Sequence, residues 1–147
     1  MDIDEISLKI IKYLRDGRKS FKEIGENLSI TTNTVRARAT KLMKKGVLEI
    51  IALIDPEKID NHFLIVVGVK LKTMGLVDKG EEFSRLKGVV SVAVVTGRFD
   101  LILTVLLNDE FGLHEFYAQE VSKIRDVMST ETFVVYKNYS WKVPYNL

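Results

Sequence analysis

The chain has 147 residues and a nearly balanced charge, and its composition excludes several classes of protein. Hydrophobic residues make up 46% of it, enough to bury a core, so a disordered chain is excluded. Without cysteine it has no disulfide, thiolate metal site or cysteine nucleophile. The opening MDIDEISLKI is no signal segment, and no apolar run has the length of a membrane span. We therefore expect a cytoplasmic protein without a membrane partner.

The formal net charge of +2 is too small to demand a polyanionic partner, but it is unevenly distributed. Residues 1–60 carry 12 Lys and Arg against 10 Asp and Glu, whereas residues 61–147 carry 10 against 10. The segment 31–48 holds five basic residues and no acidic one. Because phosphate contacts act over roughly 8–10 Å, this local concentration matters more than the total.

Three amphipathic helices are predicted in the first 48 residues, where apolar side chains recur at spacings of three and four. Their starts carry capping side chains: Asp4 for the first, Ser20 in a capping box with Glu23 for the second, and Thr31 for the third. The second and third helices have the pattern of a helix-turn-helix. Gly25 is a small residue where two helices cross, and Ser29 lies in the turn.

The third helix has a polar, basic face opposite a stripe of apolar residues, which are Val35, Ala39, Leu42 and Met43. Arginine reads guanine, asparagine reads adenine, and a helix start can hold a phosphate. We therefore predict that this helix binds DNA, with a solvated basic helix as the alternative. The predicted DNA-binding residues are Thr31, Thr32, Asn33, Thr34, Arg36, Arg38, Thr40, Lys41, Lys44 and Lys45. The following GVLEIIALID is predicted to form a wing, a short hairpin beside the helix.

From about residue 49 the sequence changes to β-branched runs separated by two helical patterns. The order is strand, helix, strand, strand, helix, strand, which is ferredoxin-like: an antiparallel sheet with two helices on one face. TGRFD forms the tight connection between the middle strands, and Gly97 can take a positive φ there. The other face is also apolar, and pairing of two copies is the simplest way to cover it. The predicted fold is α+β: a winged helix-turn-helix over 1–50, a linker strand over 51–61 and a ferredoxin-like domain over 62–147.

Over nearly its whole length the sequence resembles the Lrp/AsnC family of bacterial and archaeal transcriptional regulators. IDEISLKIIKYL and DGRKSFKEIGENLSITTNTVRARATKLMKKGVL are similar to the opening helix and the winged helix-turn-helix of that family. ALIDPEKID is similar to the linker, and VVTGRFDLILTVLLND to the G-x-aromatic-D turn of the regulatory domain. The resemblance implies a homodimer that assembles further, to a tetramer or octamer, and binds double-stranded DNA. It also implies regulation by a small effector, commonly an amino acid, without a cofactor.

The resemblance further implies an effector site, at Gly97, Arg98, Phe99, Asp100, Leu101, Ser129, Thr130 and Thr132. Asp100 can pair with an α-ammonium group, or it can cap its own hairpin. Thr130 and Thr132 can equally be ordinary strand residues. The sequence departs from the family where a second Asp, an Ala and a Gly are usual, at Ser7, Gly25 and Ser29.

Two other functions are open, and the intact basic helix argues against a third, an amino-acid sensor whose DNA-binding domain is vestigial. One is an enzyme related to the siroheme-type tetrapyrrole decarboxylases, which resemble this family in both domains. The other is an architectural protein that wraps DNA with little sequence preference. An enzyme needs converging acid–base or nucleophilic groups, and His62 and His114 lie far apart without a motif. The sequence favours a regulator with no catalytic residues and no metal site.

Overall fold

The chain divides into two compact units, Met1–Ile51 and Ala52–Leu147, and the computed structural model describes residues 3–147. The described part of the first unit contains three helices: α1 (Glu5–Leu14), α2 (Phe21–Leu28) and α3 (Thr32–Lys44). All three predicted caps are confirmed. The Asp4 carboxylate accepts the N–H of Ser7 at 2.8 Å, the Ser20 hydroxyl that of Glu23 at 3.2 Å, and the Thr31 hydroxyl that of Thr34 at 3.1 Å. Each cap satisfies a donor that the helix itself leaves free.

The centre of the first unit takes one branched side chain from each helix. Ile10, Ile24 and Val35 are fully buried against one another. Burial of such a side chain contributes roughly 1.5–3 kcal/mol, so these three contacts hold the bundle together. Met43 was predicted to join this stripe, but it is 38% exposed. It lies in the last turn of α3.

The turn between α2 and α3 depends on Gly25. A Cβ at this position would lie 2.7 Å from the carbonyl oxygen of Ile30 and 3.3 Å from the nitrogen of Thr32. A small residue is therefore needed because α2 packs closely against the turn backbone, and not only because two helices cross. The turn itself contains Ser29 in the left-handed region, at φ 55° and ψ 39°.

Replacement of Ser29 by glycine is expected to stabilise the first unit. Left-handed backbone costs a non-glycine residue about 1–2 kcal/mol, and glycine avoids this cost. Part of the resulting stabilisation is offset by the greater conformational freedom of glycine in the unfolded chain. We expect the free energy of unfolding to rise by about 0.5–1 kcal/mol, measured by urea denaturation. Ser29→Ala keeps the unfavourable backbone and is the control, with no expected gain. A Ser29→Gly variant less stable than the Ser29→Ala variant would contradict this explanation.

The predicted hairpin of the wing and the predicted linker strand do not appear as regular strands within this chain. Residues 48–53 have no regular secondary structure, and the only strand pairing near them is a single bridge between Ile54 and Val143 in the described chain. A 3-10 turn follows over Pro56–Lys58. A hairpin needs a reversal built from glycine, asparagine or aspartate, and the segment between Leu48 and Leu53 contains none of these.

The second unit is a four-stranded antiparallel sheet with helices on one face. Its elements are β1 (Phe63–Leu71), α4 (Leu76–Ser84), β2 (Val89–Val94), β3 (Leu101–Leu107), a helical segment over 113–123 and β4 (Val127–Val134). The strand order in the sheet is β2-β3-β1-β4. The helical segment combines an α turn (Leu113–Glu115), a π turn (Phe116–Glu120) and a 3-10 turn (Val121–Lys123). The predicted ferredoxin-like order is confirmed.

The two faces of this sheet differ in how they are covered. On the helix-covered face, Val67 and Val69 of β1 pack with Phe83 and Phe116 from the helices. The opposite face, called the open face below, has a smaller buried cluster of Leu64, Leu106 and Val143 at one end. The loop before β3 lies over the other end, because Phe99 contacts the sheet there. The alternation of side chains along β1 therefore assigns each residue to one face.

Candidate nucleic-acid interface and effector site

The solvent-facing side of α3 is basic. Val35, Ala39 and Leu42 are buried, while the opposite positions, Asn33, Arg36, Ala37, Lys41, Lys44 and Lys45, are exposed. The helix has no acidic residue in its first turn and basic residues in its last. Arg36, Lys41, Lys44 and Lys45 are called the basic face. Cations near the end of a helix also interact favourably with its dipole, so this arrangement suits the helix as well as a polyanion.

Side-chain hydrogen bonds order the first turn of α3 in the chain alone. The hydroxyls of Thr31 and Thr34 lie 2.9 Å apart, and the side-chain Oδ1 of Asn33 accepts from Nη1 of Arg36 at 3.3 Å. The first turn of a helix leaves backbone N–H groups without internal partners, and its dipole favours an anion. Thr32 and Asn33 supply such groups. The start of α3 can thus hold a phosphate, and the basic face lies on the same helix.

Arg38, another predicted DNA-binding residue, already forms a salt bridge with a carboxylate. Its Nη1 donates to Oδ2 of Asp4 at 2.5 Å and to Oγ of Ser7 at 3.2 Å. The side chain is 31% exposed, and its partners lie at the start of α1. The sequence predicted a DNA contact at Arg38, whereas the structure places its guanidinium in a link between α1 and α3.

This link has a measurable effect on Asp4. The Arg38 guanidinium, together with the N–H and hydroxyl of Ser7, lowers the pKa of Asp4 from 3.8 to about 2. Because the folded pKa is depressed, the stabilisation is complete above the unfolded value and is lost as pH falls through the folded value. We expect an NMR titration of the Asp4 carboxyl carbon to show this low pKa and Arg38→Met to return it towards 3.8. A pKa unchanged in the variant would show that Arg38 is not the cause.

The loop over 97–100 is shaped by one glycine within it and another beneath it. Gly97 has φ +125°, as predicted. The ring of Phe99 lies over Gly68 of β1, where an added Cβ would come within 2.6 Å of it. The Arg98 guanidinium stands 5.4 Å from the centre of this ring and pairs with Glu131 of β4 at 2.6 Å. Gly68 therefore makes room for the Phe99 ring, and Glu131 holds the Arg98 guanidinium near that ring.

Asp100 attaches this loop to β1. Its Oδ1 accepts from the ammonium group of Lys70 at 2.8 Å, and its Oδ2 accepts from the backbone N–H of Leu71 at 2.8 Å. The Leu71 N–H and then the Lys70 ammonium lower the pKa of Asp100. Both carboxylate oxygens therefore have partners on the neighbouring strand, and Asp100 does not cap its own hairpin.

The strand register divides the predicted effector residues between the two faces. Thr130 and Thr132 lie opposite Val69 and Val67, on the helix-covered face, and the Thr132 hydroxyl is 2.6 Å from that of Tyr117. Leu101 is fully buried in the core. The remaining residues share the open face or its edge: Gly97, Arg98, Phe99, Asp100 and Ser129, with Gly68, Lys70 and Glu131 beside them. The last three were missed because only the register places them there.

Residues 3–147 contain no group of three His, Cys, Asp or Glu side chains that could hold a metal ion. Both ring nitrogens of His62 have hydrogen-bond partners: Nδ1 lies 2.8 Å from the Asp60 backbone oxygen, and Nε2 lies 3.4 Å from the Tyr145 hydroxyl. His114 lies in the separate helical segment. No helix in the described part of the chain has the length and apolar character to span a bilayer.

Comparison with known proteins gives matches to both units. A family model described as Lrp/AsnC ligand binding domain matches residues 64–142, and one described as winged helix-turn-helix DNA-binding matches residues 3–49. An uncharacterized HTH-type transcriptional regulator of Pyrococcus horikoshii is 31% identical over 96% of this chain and 90% of its own length. The HTH-type transcriptional regulator Ptr1 of Methanocaldococcus jannaschii is 28% identical over 93% of this chain and 94% of its own.

A solved structure has the same fold. The crystal structure of a transcriptional regulator from Neisseria meningitidis in complex with L-Met superimposes with a TM-score of 0.73 at 19% identity, covering 99% of this chain and 96% of that one. The relatives are named as transcriptional regulators, and neither the decarboxylase nor the architectural alternative is favoured. The chain is therefore not an enzyme but a DNA-binding regulator with a ligand-binding domain. It belongs to the Lrp/AsnC family of transcriptional regulators.

Proposed function

We propose that this regulator binds specific sites on double-stranded DNA through α3 and that a small effector changes its oligomeric state or its affinity for DNA. The basic face of α3 is the observation that supports this most strongly, because it presents four exposed cations without a neighbouring acid in the segment 31–48. Arginine and asparagine in the groove supply base contacts, and lysines supply phosphate contacts. The proposed contacts are Thr31, Thr32, Asn33, Thr34, Arg36, Thr40, Lys41, Lys44 and Lys45. Arg38 is not among them because its guanidinium is bound to Asp4.

The proposed assembly is a homodimer formed through the open face of the sheet, with further assembly to a tetramer or octamer. Phe133 on this face is 47% exposed, and Phe99 packs edge-on to it with the ring centres 6.5 Å apart. Two copies would cover these rings. A dimer also supplies two recognition helices, and two-fold symmetric proteins read half-sites about one helical turn of DNA apart. Such a regulator works where the DNA lies, which we propose is the cytoplasm.

The proposed effector is an amino acid, which carries an ammonium and a carboxylate group. The Neisseria regulator with the same fold was crystallised with L-Met. In this chain, Arg98 and Glu131 form an exposed pair, with side chains 76% and 38% accessible. An exposed ion pair is worth little, so exchanging it for a zwitterion costs little. Arg98 can then receive the carboxylate and Glu131 the ammonium, next to the Phe99 ring.

The experiment that tests this function is selection of bound fragments from a pool of genomic DNA, repeated with each of the common amino acids. The proposal predicts enrichment of one palindromic sequence whose occupancy changes with a particular amino acid. The double variant Arg98→Met, Glu131→Gln should select the same sequence but lose the response. Enrichment without any common sequence would contradict specific binding, and an unaltered response in the double variant would remove this pair from the effector site.

A further inference from the structure

We propose that Arg38 contributes to DNA binding as a positioning residue: bound to Asp4 and Ser7, it fixes the orientation of α3 against α1 and does not itself neutralise a phosphate. This inference rests on the proposed function, since it concerns how α3 is presented to DNA. It assigns to Asp4, an acidic residue, a favourable contribution to the binding of a polyanion. That sign is opposite to the one expected from charge alone.

The Asp4 carboxylate both caps α1 and binds Arg38 of α3. Its Oδ1 caps α1 by accepting the N–H of Ser7 at 2.8 Å, and its Oδ2 accepts from Arg38 at 2.5 Å. The Ser7 hydroxyl, in a residue only 8% exposed, accepts from the same guanidinium nitrogen at 3.2 Å. Thus the first turn of α1 holds the middle of α3 by two hydrogen bonds from one side chain.

A direct phosphate contact by Arg38 would disrupt this arrangement. The guanidinium would have to leave both partners, and the Asp4 carboxylate would remain near the DNA backbone without a counter-charge. The Asp4 carboxylate and the DNA phosphate would then repel each other, so part of the binding energy of the new Arg38–phosphate contact would be lost. Lys41 and Lys45 line the same groove between α1 and α3 and are exposed, so cations for phosphate are present without Arg38.

The orientation of α3 matters because base contacts tolerate little displacement. Bidentate hydrogen bonds to a base edge need their donors and acceptors in place within a few tenths of an ångström to about half an ångström. Arg38 lies one residue from Ala37 and two from Arg36, both on the exposed side of the helix. Rotation of α3 about its axis would therefore move the contacting side chains across the groove. The Arg38 link restricts this rotation.

The sign of the Asp4 effect provides the test. Asp4→Asn keeps a capping side chain and removes the negative charge. Glu5→Gln removes the same charge one residue later, where Glu5 pairs with Lys9 on the same helix. Fluorescence anisotropy with a labelled duplex is measured for both variants across a salt series. Charge alone predicts tighter binding for both. The proposal predicts that Asp4→Asn weakens binding by about two- to fivefold at every salt concentration, while Glu5→Gln does not weaken it.

Variants of Arg38 separate positioning from direct contact. Arg38→Lys keeps the charge, but its side chain is one bond shorter, so its ammonium falls short of the position from which Nη1 reaches both Asp4 and Ser7. Arg38→Met keeps the packed stem and removes the charge. The proposal predicts a similar loss of affinity in both, an unchanged dependence of log K on log salt, and no further loss when Asp4→Asn is added to Arg38→Met. Thermal melts confirm that each variant is folded.

Three results would overturn the proposal: a salt slope smaller by about one in Arg38→Met, full affinity in Arg38→Lys, or tighter binding by Asp4→Asn. Failure of the proposed function itself is recognised separately. In that case the wild-type chain, whose Arg38 link is intact, would not bind the duplex at low salt.

Discussion

Simultaneous replacement of Arg36, Lys41 and Lys44 by alanine is expected to weaken DNA binding on the order of 100-fold at about 0.1 M salt. All three side chains are exposed on one side of α3. Each neutralised phosphate releases condensed counterions, so the slope of log K against log salt should fall by about one for every phosphate that a subunit no longer neutralises. Anisotropy titrations of a labelled duplex at several salt concentrations measure both quantities.

The matched control removes the same charge from the second unit. Lys72, Arg85 and Lys123 are exposed there, and their replacement by alanine changes the net charge by the same amount. We expect the control to bind DNA almost as the wild type does. Equal losses of affinity in the two triple variants would mean that total charge, and not the basic face of α3, determines DNA binding.

Replacement of Asp100 by asparagine is expected to abolish the response to the effector. DNA binding by the effector-free protein should be unchanged. Both carboxylate oxygens accept from donors on β1, the Lys70 ammonium and the Leu71 N–H. An asparagine presents an NH₂ group to one of these donors, so one attraction becomes a repulsion. The loop that carries Arg98 and Phe99 is then released from the strand. Because these donors lower the pKa of Asp100, the anchor is complete above the ordinary pKa of 3.8 and is lost only as pH falls through the lower folded value.

The measurement compares DNA affinity with and without each amino acid for wild type and Asp100→Asn near neutral pH. Asp109→Asn, an exposed acidic residue in the loop after β3, is the control and should keep the response. Size-exclusion chromatography checks that the assembly is unchanged. A normal response in the Asp100→Asn variant would show that the loop acts without this anchor.

The helices and their caps could be predicted because the interactions that define them are local. Ser20 and Glu23, or Thr31 and Thr34, are three residues apart, and their residue types identify a helix start. The ferredoxin-like order was equally accessible, since the alternation of strand and helix patterns has few compatible topologies. The segment 48–53 has strand-forming residues but no regular strand, because it lacks the turn residues that a hairpin requires.

The remaining features depend on interactions between distant parts of the chain. Arg38 meets Asp4 across 34 residues, and Asp100 meets Lys70 across 30. Composition and spacing contain no sign of either pair. The face on which each residue of β4 lies depends on its register with β1, and a shift of one residue exchanges the faces. For that reason Glu131 was missed, while Thr130 and Thr132 were grouped with a loop from which the sheet separates them.

We propose that α3 brings this protein onto duplex DNA, and titration of a labelled random-sequence duplex with the purified chain tests this proposal. At about 50 mM salt, electrostatic binding needs no particular sequence, so the unknown operator is no obstacle. We predict a saturable rise in anisotropy that weakens steeply as salt increases and is largely abolished in the Arg36, Lys41, Lys44 triple variant. No rise in anisotropy at any protein concentration in low salt, or a rise that the triple variant reproduces in full, would show that α3 does not have this role.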